Sequence, residues 1–217
     1  RDRLPPDEGI KLLTGLIGRY PKNKMVPQVK SMLENIIIEE NSQRLQKILD
    51  NSSNLVTGGK LNEAIELLSD ALISCQSATN IQSVKIQLDR YREANKKFAD
   101  VKKDMLTDDD DFKRLVLNAC FGDPELEFLL GEHYMAGEKV KSNTSEAFKW
   151  YSQSAEHKSM NGLFGLGKYY CLEDNFEKGL FYFNQASSNG HLRATFLAGL
   201  GYLYGIGSDT NILKAIE

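Results

Sequence analysis

The sequence predicts an all-α chain in which antiparallel helix pairs stack one after another into a solenoid. Three observations predict it. Leu130-Gly131-x-x-Tyr134-x-x-Gly137 returns as Leu166-Gly167-x-x-Tyr170 and again as Ala198-Gly199-x-x-Tyr202-x-x-Gly205. A second pattern follows the first two copies: Ala147-x-x-Trp150-Tyr151-x-x-Ser154-Ala155, then Gly179-x-x-Tyr182-Phe183-x-x-Ala186-Ser187, with a third beginning at Ala215. The apolar positions within each pattern lie near helical spacing, as with Leu129, Leu130 and Tyr134, or Phe148, Tyr151 and Ala155. A period of roughly 35 residues that encodes two helices is the mark of a repeat array, whose units bury their faces only against neighbours.

The register has independent support. Phe128, Phe164 and Phe196 each precede their copy's first glycine by three residues, and Gly122, Lys158 and Gly190 precede it by nine. The second copy is shorter because Glu173-Asp174-Asn175 replaces the loop that runs from Gly137 to Ser145 in the first. A glycine inside a helix costs about 1 kcal/mol against Ala. Gly131, Gly167 and Gly199 are therefore expected where a partner helix crosses too closely for a side chain. Asn143-Thr144-Ser145-Glu146 has the form of a capping box, with Asn143 as the cap.

Taken from the start, Pro5-Pro6-Asp7-Glu8 opens a helix carrying Ile10, Leu13, Ile17 and Tyr20 on one face, and Pro21 closes it. Pro27 opens a second, with Val29, Met32, Leu33, Ile36 and Ile37 apolar, expected to yield near Glu40-Asn41-Ser42. A longer amphipathic helix is expected from Asn80 to about Leu106. Its Val84, Leu88, Tyr91, Phe98, Val101 and Met105 read as a face packed on neighbours rather than a coiled-coil seam. The run from Asp108 to Asp111 breaks that helix. It lacks the alternating ligand spacing of a calcium loop, so it reads as a solvated linker capping the next helix, Phe112–Phe121.

The repeated motif resembles the Sel-1-like repeats, relatives of the tetratricopeptide repeats. Residues 44–76 resemble a tetratricopeptide unit: Ile48, Leu55, Gly59, Leu61, Ala64, Leu68 and Ala71 fall at that repeat's consensus positions. Leu49 and Ser53 stand where that family's carboxylate clamp has Lys and Asn, so a clamp for chaperone tails is not expected. The resemblance implies a right-handed α/α superhelix, with a tetratricopeptide-like region over 1–107 and Sel-1-like repeats over 108–217, the third incomplete. It also implies a concave face that binds proteins or peptides. By position relative to the repeat glycines, that face should carry Glu132, Met135 and Ala136, then Lys168, Cys171 and Leu172, then Leu200, Leu203 and Tyr204.

Composition narrows the function classes. The chain has 217 residues, 41% hydrophobic and 26% charged, which is the make-up of a folded chain. A net charge of −3 with interspersed signs offers no nucleic-acid surface. No apolar run reaches the ~18 residues of a membrane span. Cys75, Cys120 and Cys171 are isolated and read as structural thiols, which favours a reducing compartment; a secretory-pathway lumen or a mitochondrion remains open. His133, His157 and His191 occupy different repeat positions, with no partner at metal-ligand spacing. The Gly199–Gly207 glycines imitate a phosphate loop but are accounted for by the repeat register. Tyr134, Trp150, Tyr151, Tyr170, Tyr182, Phe183 and Tyr202 share the repeat's period and are expected in the core rather than as a stacking platform for bases.

No catalytic, cofactor or metal site is therefore expected. The expected function is a non-enzymatic adaptor or scaffold, with a purely architectural role such as self-association kept as a separate alternative. The alternative expectation is a regulatory or docking region of a larger enzyme whose catalytic part lies elsewhere. An initial Arg and a final Glu217 within a helix pair read as the ends of an excised stretch.

Overall fold

The structure is a computed structural model that describes residues 6–74 and 81–216. Cys75 and Asn80 lie outside the described residues. It is all-α: among the described residues the helices are α1 (Pro6–Arg19), α2 (Val26–Thr57), α3 (Leu61–Ser74), α4 (Ile81–Lys102), α5 (Asp110–Cys120), α6 (Pro124–Ala136), α7 (Thr144–Glu156), α8 (Met160–Leu172), α9 (Phe176–Ser188), α10 (Leu192–Tyr204) and α11 (Ile212–Ile216). Contacts divide the chain into two compact units, one up to Arg92 and one from Glu93.

In the first unit α1 packs on α2 and α2 on α3. Ile10, Leu13 and Ile17 face inward in part, whereas Tyr20 is exposed. The expected break near Glu40-Asn41-Ser42 does not occur: α2 runs unbroken for 32 residues. Asn and Ser cost a helix only a few tenths of a kcal/mol against Ala, and no Gly or Pro interrupts the run. The helix stops at Gly58-Gly59, where Gly59 takes a left-handed φ of 77°. Leu61, Ala64, Leu68 and Ala71 form the buried stripe of α3, with Ile48 and Leu55 half-buried on α2. Tyr91 is buried and its hydroxyl lies 3.5 Å from Ser53 Oγ.

In the second unit each helix from α5 onward packs on the next, and α6 also packs on α8, the corresponding helix one repeat later. Asp109 caps α5, its carboxylate accepting from Asp111 N at 3.0 Å. The acidic run is engaged by lysines: Asp108 and Asp110 with Lys113, and Asp109 with Lys139. These bonds hold the carboxyls of Asp108 and Asp109 below the usual range. One buried cluster joins Phe112, Leu130, Tyr134, Trp150, Tyr151 and Leu166, and another joins Phe164, Leu180, Phe183 and Ala198.

The same local devices close every repeat. Asn143, Asn175 and Asn211 each donate a backbone N–H to a tyrosine carbonyl at the end of the preceding helix (Tyr134, Tyr170 and Tyr202; 3.0, 2.9 and 2.8 Å). Each side-chain oxygen then accepts an N–H three residues on, from Glu146, Lys178 and Lys214. Asn143 is thus the cap its sequence predicts, but Glu146 does not complete the box; its carboxylate pairs with Lys149 instead. Gly122, Lys158 and Gly190 all adopt left-handed φ values, of 89°, 66° and 91°.

Two of the three repeat glycines seat aromatic rings. A Cβ on Gly131 would fall 2.6 Å from the Tyr151 ring, and one on Gly165 2.4 Å from the same ring. On Gly167 it would fall 2.5 Å from Phe183, the residue equivalent to Tyr151. At Gly199 only the Ala215 carbonyl lies close, at 3.2 Å. Of the aromatic set, Tyr134, Trp150, Tyr151 and Phe183 are buried, while Tyr170, Tyr182 and Tyr202 are half-buried. Tyr170 and Tyr182 stack on each other, with ring centroids 5.4 Å apart.

Gly167→Val is expected to destabilise by at least about 1–3 kcal/mol, because a rigid ring blocks the new side chain. An unchanged melting temperature would remove Phe183 as the obstacle. Lys158→Gly should act the other way, stabilising by about 1 kcal/mol, since a non-glycine residue pays about that much to sit left-handed. Denaturant midpoints measured on both variants check the pair of signs.

Candidate partner-binding site

The position one residue after each repeat glycine holds Glu132 on α6, Lys168 on α8 and Leu200 on α10. The first two meet. Lys168 Nζ lies 2.6 Å from both carboxylate oxygens of Glu132, and the Tyr151 hydroxyl donates to Glu132 Oε1. The ammonium also sits over the rings of Phe128, Tyr151 and Phe164, at 5.8, 5.8 and 5.4 Å from their centroids. Burial, and then the bond to Glu132, push the Tyr151 phenol above its usual range. Glu132 and Lys168, expected separately on the partner-binding face, are thus satisfied by each other within the chain and tie α6 to α8 beside the aromatic ring of α7.

The remaining predicted residues take three environments. Met135 is half-buried against the larger core cluster, and Ala136 is exposed. Cys171 and Leu200 line one cavity of about 200 Å³ together with Leu180, Phe183, Leu197 and Ile206. Leu172, Leu203 and Tyr204 are exposed, at 64%, 42% and 67%, so the α8 and α10 ends that border this cavity carry large apolar side chains into solvent. Phe176 and Ile206 also border the cavity. Sequence reasoning missed both because they lie beside loops, outside the helical period. Cys171 Sγ packs against Gly179, where a Cβ would fall 2.5 Å from it, and burial raises its thiol pKa. Burial pushes the Cys120 thiol up to about 12, so both thiols are held protonated.

Each histidine has a structural partner. His133 meets Phe112 edge-on, and His191 caps α10 while stacking on Phe164 at 4.3 Å. His157 Nδ1 lies 2.7 Å from Oε2 of Glu127, a carboxylate only 1% exposed whose Oε1 has no hydrogen-bond partner. Among the described residues no group of three His, Cys, Asp or Glu side chains could hold a metal ion. No helix among them is long and apolar enough to cross a membrane.

Helix pairs joined by the same cap, seated on the same glycine and packed in sequence define an α-helical repeat array. Residues 124–159, 161–191 and 193–217 match the Sel1 repeat, so the C-terminal part of this chain consists of three Sel1 repeats. A Sel1 repeat protein from Oxalobacter formigenes, known from a crystal structure, is 27% identical, with 48% of this chain and 82% of its own covered and a TM-score of 0.43. Sel1 repeats generally serve as protein-interaction scaffolds rather than as catalysts.

Glu127 makes one pH effect testable. Burial raises its carboxyl pKa above the ordinary 4.5, against the opposing pull of His157 and Lys97; Asp123 adds to the rise, and the Cys120 thiol nearby is neutral. A raised folded-state pKa means that the protonated form favours folding. That contribution is complete below about 4.5 and is lost as pH rises through the folded-state pKa. Glu127→Gln keeps an acceptor for His157 and removes the titration. The melting temperature of the variant relative to the parent should therefore climb as pH rises from 4.5 towards neutrality. A pH-independent difference would show that Glu127 does not titrate there.

Proposed function

We propose that the chain is a non-enzymatic adaptor that holds a partner protein or peptide against its Sel1 repeats. An apolar side chain of the partner enters the cavity formed by Cys171, Leu180, Phe183, Leu197, Leu200 and Ile206. The observation that carries this reading is the exposed apolar rim of Leu172, Leu203 and Tyr204 beside that cavity. Apolar side chains left in solvent around a concavity are the anatomy of a helix-in-groove or peptide site, in which one buried anchor dominates the affinity. We read Met135 and Ala136 as the continuation of this face, with the Glu132–Lys168 pair acting as a rigid spacer. We also read residues 1–107 as a tetratricopeptide-like lead-in to repeats over 108–217, on the strength of the buried stripe Leu61, Ala64, Leu68 and Ala71.

The test is affinity capture from a lysate of the source organism, followed by titration of each captured protein. The bait is the parent chain beside a Leu200→Asp, Leu203→Asp double variant whose helicity is verified by circular dichroism. Charge at the cavity wall should weaken a true partner by about tenfold or more, the equivalent of 1.4 kcal/mol. Equal affinity of every captured protein for both baits would overturn the assignment.

A further inference from the structure

The turn between α1 and α2 carries a surface in the first unit that the role given to the Sel1 repeats does not use. Between Glu8 and Glu34 the chain has five cations, Lys11, Arg19, Lys22, Lys24 and Lys30, and no acid, although its net charge is −3. All five are exposed, and among the described residues none makes an ion pair. Leu12, Leu16 and Tyr20, spaced four apart along α1 and its end, are exposed as well, as are Met25 and Met32. A cavity of about 180 Å³ is lined by Leu16, Ile17 and Tyr20 from one side of the turn and Met25, Val26 and Val29 from the other. Among the described residues no side chain of α1 is fully buried, and the first buried residue of α2 is Leu45.

Apolar side chains in solvent and uncompensated positive charge on one turn call for a cover that is both apolar and anionic. Charge excludes a second copy of the chain, since two such faces would set like charges against each other. The backbone decides between an anionic lipid surface and an acidic protein segment. The N–H groups of Tyr20, Asn23 and Val26 bond to the carbonyls of Leu16, Tyr20 and Asn23 at 3.0, 3.1 and 3.0 Å. That of Met25 bonds to Asn23 Oδ1 at 2.9 Å, and Pro21 and Pro27 have no N–H to satisfy. A turn whose donors are spent offers a peptide little backbone to pair with, and it leaves water for a lipid interface at small cost. Long basic side chains keep their charges at headgroup level while their stems cover apolar surface.

We propose that the α1–α2 turn binds the surface of an anionic phospholipid membrane. Leu16, Tyr20 and Met25 enter as far as the acyl boundary, about 5–10 Å deep, and Arg19, Lys22 and Lys24 lie against lipid phosphates. The chain rests on the membrane by this turn and does not cross it there.

Co-sedimentation of the whole chain with lipid vesicles is the test. One set of vesicles is phosphatidylcholine; the other is phosphatidylcholine and phosphatidylserine in equal parts. The expected result is binding to the mixed vesicles alone, weakened by added salt. A triple Arg19→Gln, Lys22→Gln, Lys24→Gln variant should bind at least about tenfold more weakly. Tyr20→Ser with Met25→Ser should cost about threefold or more. Both variants change only exposed side chains, so their helicity by circular dichroism should match the parent. Removing three exposed cations elsewhere, with Lys47→Gln, Lys85→Gln and Lys96→Gln, should leave binding unchanged. No binding to mixed vesicles, equal binding to both sets, undiminished binding by either turn variant, or an equal loss in the control would each overturn the proposal. Polyglutamate that bound the parent and the Tyr20→Ser, Met25→Ser variant alike, and more tightly than vesicles, would also overturn it and assign the turn to acidic protein segments.

Discussion

The contact on which the repeats depend is an aromatic ring laid against bare helical backbone. Tyr151 occupies the space a methyl would need at Gly131 in its own repeat and at Gly165 in the next. One side chain therefore sets the separation of α6 from α7 and of α7 from α8. Close packing in protein interiors leaves little slack, so the ring fixes those separations. Phe183 does the same at Gly167. The helices accept the propensity cost of glycine because the rings gain dispersion contacts along the exposed backbone. The Tyr151 hydroxyl then reaches out of this wedge to Glu132, joining the packing to the polar network above it.

That wedge also divides the predicted binding face. Side chains next to the glycine are held at short range from the neighbouring repeat. The position that carries Glu132 and Lys168 closes on itself, and the same position at Leu200 contributes to an apolar wall instead. Satisfied charge contributes little to a partner, since breaking a half-buried ion pair offsets most of what a new one gains. In the proposed reading the partner is held at the apolar end, where Cys171 and Leu200 line one cavity and Leu172, Leu203 and Tyr204 are exposed.

The repeat period was legible in the sequence because it is written in residues with few substitutes. Small residues mark the ring seats at Gly131 and Gly167, and the position shared by Gly122, Lys158 and Gly190, which supported the register, is left-handed in the structure. The caps at Asn175 and Asn211 were equally readable once Asn143 was identified, since each stands at the same place in its copy. Other features were not readable. The continuity of α2 through Glu40-Asn41-Ser42 turns on propensity differences of tenths of a kcal/mol, which packing overrides. The Glu127–His157 pair joins residues thirty positions apart, and neither falls at a motif position. Phe176 reaches the cavity from the first position of α9 and Ile206 from the turn after α10, both at the edge of the helical period.

The pairing of Glu132 with Lys168 has a consequence for the order of the repeats. The backbones of successive units are near equivalents, yet corresponding positions carry an acid, then a base, then a leucine. An acid matched by a base one unit later reads as a key cut for one neighbour. Exchanging the last two units would set Leu200 between Glu132 and Lys168 and strand both charges beside an apolar side chain. The array is modular in shape and directional in chemistry: its units stack like bricks but are addressed like words in a sentence.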